Sequence, residues 1–478
     1  MIKLLRITLI TCTVTGLLAG CGVPAQLAQQ ERDAITLPAS YQSSSDSAAA
    51  ILPQWNQFFT DTNLTRLIKA GLTHNQDLQA SLQRIRSAQA EILQQKGLLS
   101  PSVSAGITGS LRKFGLYTMD GAGNIVTDMQ PGKLIPIHLP DYFAGIQASW
   151  ELDIWQKLKN KKQAAMARYL AGIEGRNLLV TQLVSSIATA YYELLATDEM
   201  LKIIDETIQV REKALELVKV QKESAMSNEL AVKQFEAQLY NLGALRWELL
   251  QQVAQTENSI HLLTGQLPVG ITRVHVFFES PLHSYLKTGV PSALLQQRPD
   301  IRQAEWNLVA TKAEVKAARA AFYPSVNING SLGLQAFQPG LLLRTPESIA
   351  YGLVGGLTAP LINRSAIKSN FQKANAVQLE AYYQYQKQVL NGYIEVNTEI
   401  QRAQNLANVY NQRSKETETL LHSIDIAEIL FKAGRASYLE VLVTQQNALQ
   451  ARLSMVDTRR KQFLTTVNLY RTLGGGWR

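Results

Sequence analysis

Cysteine is nearly absent from this chain, and that alone removes one route to stability. Of the two cysteines in 478 residues, Cys12 lies inside the apolar run from Ile7 to Leu18 and Cys21 stands just beyond it. No internal disulfide can form after that run, so packing and assembly must hold the fold. Histidine is almost as scarce, with six in all; His275 and His283 are eight apart near mid-chain, without the further ligands a metal centre needs. A glycine-rich phosphate loop, a His-Glu-x-x-His run and a serine elbow are also missing, which leaves an enzyme reading without its constellation. Gly474-Gly475-Gly476 follows a helical pattern and reads as a helix stop. The net charge is only +9, and basic residues such as Lys157, Lys159, Lys161 and Lys162 fall at the spacing of a solvated helix face, so no nucleic-acid partner is expected. Finally, no stretch after residue 21 reaches the ~18 consecutive apolar residues of a membrane-spanning helix. Any later crossing must therefore be made by strands.

The first residues supply what is present instead. Lys3 and Arg6 precede the apolar run, which ends in Leu18-Ala19-Gly20-Cys21. This is the pattern of a signal peptide over residues 1–20 with a lipoprotein cleavage site. Cys21 would become the lipid-bearing N-terminus, anchored by several acyl chains, and that covalent lipid is the one attached group expected; no cofactor is. Loss of Lys3 and Arg6 takes the net charge from +9 to +7. Gly22, rather than an aspartate, follows the cysteine, which favours the outer membrane.

The chain also repeats itself. Asn75-Gln76-Asp77-Leu78 and Pro101-Ser102-Val103 return as Arg298-Pro299-Asp300-Ile301 and Pro324-Ser325-Val326, both 223 residues later. Ser227 and Asn258 to Gly265 pair with Ser437 and Asn468 to Gly475 at an offset of 210, a longer loop between 112 and 141 in the first copy absorbing the difference. Two similar halves follow, 55–285 and 286–478, behind a linker at 21–54.

Within each half the period changes twice. Alternation of period 2 marks strands at about 101–112 and 143–153, then 324–336 and 350–361, each half carrying one hairpin with one apolar face. Their length, and flanking aromatics such as Phe114, Tyr142, Phe143, Trp150, Trp155, Phe322, Tyr323 and Phe337, suit a transmembrane barrel. Four strands cannot close, and open edges are not tolerated in lipid, so copies must associate. Helical pattern covers 62–100, 157–220 and 227–264 in the first half and 291–322, 365–432 and 437–473 in the second. Heptad stripes run from Leu183 to Val218 and from Val389 to Phe431. Helices of more than 60 residues extend ~90 to 100 Å, and they break at 223–227 and 433–437, with Ser227 and Ser437 as expected N-caps. The long loop at 112–141, rich in Gly, Asp and Pro, is read as a mobile extracellular cap. The fold expected is thus α+β and membrane-bound, strands for a barrel and long helices for a tunnel.

At this point the residues resemble the TolC-like outer-membrane factors, in their lipoprotein branch serving resistance-nodulation-division pumps. The matching segments are Trp55-Asn56-Gln57-Phe58-Phe59-Thr60-Asp61, Leu294-Leu295-Gln296-Gln297-Arg298-Pro299-Asp300-Ile301, Ala320-Ala321-Phe322-Tyr323-Pro324-Ser325, Ser437-Tyr438-Leu439-Glu440-Val441-Leu442 and Leu473-Gly474-Gly475-Gly476-Trp477. The resemblance implies a homotrimer with a twelve-stranded barrel in outer-membrane lipid and a twelve-helix periplasmic tunnel. It also implies a periplasmic adaptor and an inner-membrane efflux transporter as partners. By the same resemblance, Leu421, Asp425 and Glu428 are candidates for the pore gate. Glu223, Ser224, Ala225, Met226 and Ser227, with Ala433, Gly434, Arg435, Ala436 and Ser437, are candidates for adaptor contact. Leu152 to Lys157 departs from the phenylalanine-glycine turn common in relatives. Two other readings compete: a tethered coiled-coil lipoprotein, which leaves the strands unexplained, and a protein-secretion duct, which usually lacks a lipid anchor.

Overall fold

The computed structural model describes residues 37–41, 52–224, 227–273, 277–278, 291–360 and 364–477. Cys21, Ala225, Met226, His275, His283 and Leu361 lie outside the described residues. In chain order the elements are α1 (Trp55–Phe58), α2 (Thr62–His74), α3 (Gln76–Gly97), β1 (Ser102–Arg112), α4 (Met119–Val126), β2 (Asp128–Gln130), β3 (Lys133–Leu134), β4 (Leu139–Leu152), α5 (Lys157–Glu223) and α6 (Glu229–Thr264). The second half follows with α7 (Leu294–Gln297), α8 (Pro299–Ala320), β5 (Ser325–Ala336), β6 (Ile349–Thr358), α9 (Ser365–Lys432) and α10 (Tyr438–Thr472).

Two compact units share these elements. One holds Arg86–Leu170 and Trp306–Tyr383, the other Ile85 and earlier described residues with Ala171–Glu305 and Gln384–Arg478. The first unit contains a four-stranded antiparallel sheet in the order β1-β4-β5-β6. In the same unit Val315, Phe322 and Phe371 form a small core between α8 and α9, the two rings edge to face at 5.8 Å. Phe322 is therefore a core residue and not part of an aromatic girdle.

In the second unit the heptad stripe of α5 is buried inside the chain: Leu183, Ile187, Leu194 and Ile204 are all 7% exposed or less. Tyr191, Phe463 and Tyr470 complete that core with Phe58 and Phe59, and Phe58 stacks on Tyr470 at 4.1 Å. The Trp55 to Asp61 motif owes its pattern to this packing. Asp61 then caps α2, accepting from the Asn63 amide at 2.7 Å and from the Tyr191 hydroxyl at 2.7 Å. The stripe of α9 behaves differently, for Val389, Val396 and Ile400 are buried while Ala407 and Leu421 are exposed.

The duplication shows in two matching staples. Asn75 donates from Nδ2 to the Leu263 carbonyl at 3.0 Å, and its side-chain oxygen caps Leu78 N. Arg298, its counterpart, donates from Nη1 to the Thr472 carbonyl at 2.9 Å. Gly265 and Gly474, at φ 65° and 93°, end α6 and α10 in the left-handed conformation that favours glycine, and a Cβ on either would collide with the carbonyl of His74 or Gln297. These pairs set the late offset at 209 residues (265 to 474, 228 to 437), one fewer than the sequence match suggests.

Four details differ from the sequence reading. Asn75 caps a new helix, so 62–100 is two helices with a bend, and 291–322 breaks likewise at Arg298, whose backbone is extended between α7 and α8. The N-cap of α6 is Asn228, whose side chain accepts from Ala231 N at 2.9 Å, and not Ser227. β4 begins at Leu139, ahead of the expected 143. The stretch from 112 to 141 has its own structure, with α4 capped by Thr118 and a β2–β3 hairpin turning at Gly132 (φ 75°). Asp153 replaces the glycine turn before α5, accepting from Leu158 N at 2.9 Å and Lys159 N at 2.7 Å, while Gln156 takes the left-handed conformation at φ 60°.

Candidate functional site: a two-faced sheet and two helical tips

Strand register decides which side chains share a face. Ser102, Ser104, Thr108 and Ser110 of β1 stand beside Ser149, Gln147, Phe143 and Asp141 of β4, and these beside Asn329, Ser331 and Gln335 of β5. Gln335 donates to both Asp141 oxygens at 2.8 and 2.9 Å, and Ser149 donates to Asn329 at 2.8 Å. Ser102, Ser104, Gln147, Ser149, Asn329 and Ser331 line one depression of about 300 Å³ on this polar side.

The opposite face carries no charge. Val103, Ile107 and Leu111 lie on it with Ile146, Trp150, Ile328, Leu332, Tyr351, Leu353 and Leu357. Several are mostly exposed, Ile107 at 82%, Tyr351 at 85% and Leu353 at 79%. An apolar face of this extent on strands of 10 to 14 residues fits hydrocarbon and not water. Tyr142 and Trp150 belong to it, as expected of a girdle, but Phe143 points to the polar side. At the helix-proximal end, Trp155 stacks on Tyr323 at 4.8 Å and donates to the Pro324 carbonyl at 2.7 Å. Among the described residues, no strand pairs with the outer edge of β1 or of β6.

The helical tips are built by capping. Ser437 and Glu440 form a reciprocal box at the start of α10, Glu440 accepting from Ser437 N at 2.6 Å. That backbone bond, with one from the Ser437 hydroxyl, holds the Glu440 carboxyl below the ordinary carboxylate range. Gly434 turns the other side of the tip at φ 67°. In the first half Glu223 ends α5, and Lys222 pairs with Glu229 across the tip. Leu215, Val218, Val232 and Phe235 pack the two arms together and meet Leu442.

The three gate candidates share one stretch of α9 but not one environment. Asp425 and Leu421 are exposed, whereas Glu428 is half-buried and accepts from Gln445 at 3.3 Å. Leu421 and Glu428 line a crevice of about 220 Å³ together with Arg211, Glu206 and Arg452. Sequence reading passed over Arg211, which is 3% exposed with no hydrogen-bond partner on Nη1; burial lowers its pKa. It occupies a stripe position of α5, between Ile208 and Leu215, so a charge interrupting the apolar series is the signal that could have found it.

Comparison with known proteins agrees with this geometry. The chain matches the family described as outer membrane efflux protein over residues 67–266 and 290–475. It is 29% identical over 450 residues to the pyoverdine export outer membrane protein OpmQ of Pseudomonas putida, covering 93% of each chain. With the cation efflux system protein CusC of Escherichia coli it shares 26% over 458 residues, 95% of this chain and 93% of that one. The solved outer-membrane channel OprN superposes at a TM-score of 0.83 and 22% identity, over 95% of this chain and all of the other. A sheet with one apolar and one polar face, long capped helices and a duplicated chain are the parts of one known design, and this chain belongs to the outer membrane efflux protein family.

Proposed function

We propose that three copies of this chain close a twelve-stranded barrel in the outer membrane and conduct small molecules outward, without chemistry, from a periplasmic adaptor and an inner-membrane transporter. The observation that carries this reading is the sheet: four strands, one uncharged exposed face, one polar face, and two outer edges that no strand pairs among the described residues. Lipid tolerates no such edge, so closure by further copies is the physical remedy. Exposed apolar residues elsewhere on the long helices, Tyr240 and Trp247 on α6 and Ile426 and Ile429 on α9, give copies something to pack against. Cys21 would tether the N-terminus by its lipid.

The tips at 223–227 and 433–437 are the adaptor contacts in this reading, and α9 narrows the path at Leu421, Asp425 and Glu428. A ring of acids repeated by symmetry would hold the resting channel nearly shut. Relatives are named for pyoverdine and for cations; here the cargo is whatever small molecule the transporter delivers. Planar-bilayer recording of purified protein tests the gate. Asp425→Ala with Glu428→Ala should give larger and more frequent openings than the unaltered protein. Identical conductance in the two would contradict the gate assignment.

A further inference from the structure

Three of the four aromatic side chains on the sheet, Tyr142, Trp150 and Tyr351, lie on its apolar face. Phe143 alone lies on the polar face, where an aromatic ring gains nothing from lipid. Its surroundings explain how it is accommodated. One level of that face runs Gly106, Gly145, Gly333 and Ala350, one residue per strand in register, so nothing larger than a methyl group projects there. A Cβ added to Gly145 would collide with the Leu332 carbonyl and Gly333 Cα and come within 2.8 Å of Phe143 Cζ; one added to Gly333 would collide with the Ala144 carbonyl and Gly145 Cα and come within 2.9 Å of Phe143 Cε2. The ring therefore lies flat on the wall, spread over both glycines. The same device appears on the other face, where Tyr142 rests over Gly109, whose added Cβ would sit 3.3 Å from that ring.

We propose that Phe143 sets the size limit of the barrel lumen, its ring kept down by Gly145 and Gly333, and that bulk at either glycine would stand the ring up into the path. This rests on the polar face lining a lumen. Flat, the ring lines the wall of a bore faced at the glycine level and below it by Ser104, Gln147 and Ser331, with Asp141 and Gln335 beside it toward the outer end. Upright, it would project into the bore from every copy at one level.

Access from outside the cell tests this without depending on the tips. A cysteine at Ser104, exposed on the polar face one level further from the 113–138 loop than the glycines, reports arrival of a thiol reagent. A cysteine at neighbouring Val103, on the apolar face, is the control. A small charged reagent should label Ser104→Cys and spare Val103→Cys; the reverse would overturn the lumen itself and the proposal with it. A bulky maleimide should then label Ser104→Cys roughly tenfold more slowly when Gly333→Ala is added, and the slowing should vanish when Phe143→Ala is also present, as touching side chains couple. Because an alanine at Gly333 also crowds the Ala144 carbonyl, Phe143→Ala alone serves if that variant does not assemble, and it should speed the bulky reagent. Slowing that persists without Phe143, or no change in rate with Phe143→Ala, would overturn the proposal while leaving the lumen intact.

Discussion

Arg298 shows how a single side chain can look like a motif and act as a clamp. Its guanidinium holds both oxygens of Asp300 at 3.0 and 2.7 Å, Glu395 at 2.9 Å and the Thr472 carbonyl at 2.9 Å. Burial opposes the charge, but the two carboxylates outweigh it and raise the arginine pKa. Asn75 does the equivalent work in the first half with neutral hydrogen bonds alone. Removing Arg298 leaves the largely enclosed Asp300 carboxylate, 11% exposed, without its ion-pair partner, so Arg298→Ala should cost about 3 kcal/mol. Asn75→Ala should cost about 1 kcal/mol. Chemical denaturation of the purified protein measures both, and equal losses would contradict the clamp. At this scale the sequence was only partly legible. Proline followed by aspartate is the chemistry of a helix start, and Pro299 is indeed the first residue of α8, yet the reach of Arg298 to Thr472 needs the fold. The one-residue choice between Ser227 and Asn228 is likewise settled by which side chain faces Ala231 N.

Among elements, period and capping chemistry were the legible signals. Strands with two unlike faces declare themselves by alternation, and the 67- and 68-residue helices α5 and α9 by long helical pattern carrying heptad stripes. What stayed hidden was local override: a capping asparagine inside a helical pattern, and α4 inside a loop rich in glycine. Phe143 was misplaced with the girdle because adjacent aromatics at 142 and 143 must face opposite ways, and register alone says which. The tip of α10 yields a prediction that composition cannot. Ser437→Ala should loosen the first turn by about 1 kcal/mol, seen as faster amide exchange from Tyr438 to Leu442. Acid should act on the same turn. Glu440 has its pKa lowered by its bonds to Ser437, so its contribution is complete above the ordinary glutamate range and is lost as pH falls through the lowered value. Protection of the tip amides, taken relative to the intrinsic exchange rate at each pH, should fall on acidification in the unaltered protein and much less in Glu440→Gln; equal falls would contradict the box.

For the whole molecule, the sequence announces association through what one chain leaves unfinished. Each half supplies a hairpin, the chain a four-stranded sheet, and neither outer edge finds a partner among the described residues. A stripe on α9 that is buried at Val389 and Val396 but exposed at Ala407 and Leu421 repeats the message in helices. Copy number is the part that pattern alone leaves open, since two, three or four copies would all give an even barrel. Native mass spectrometry of the detergent-extracted protein, paired with single-channel recording of the same sample, addresses this directly. The account predicts a trimer that inserts and opens rarely to a small conductance. A monomer or dimer that forms no pore would contradict it and return the chain to a tethered scaffold.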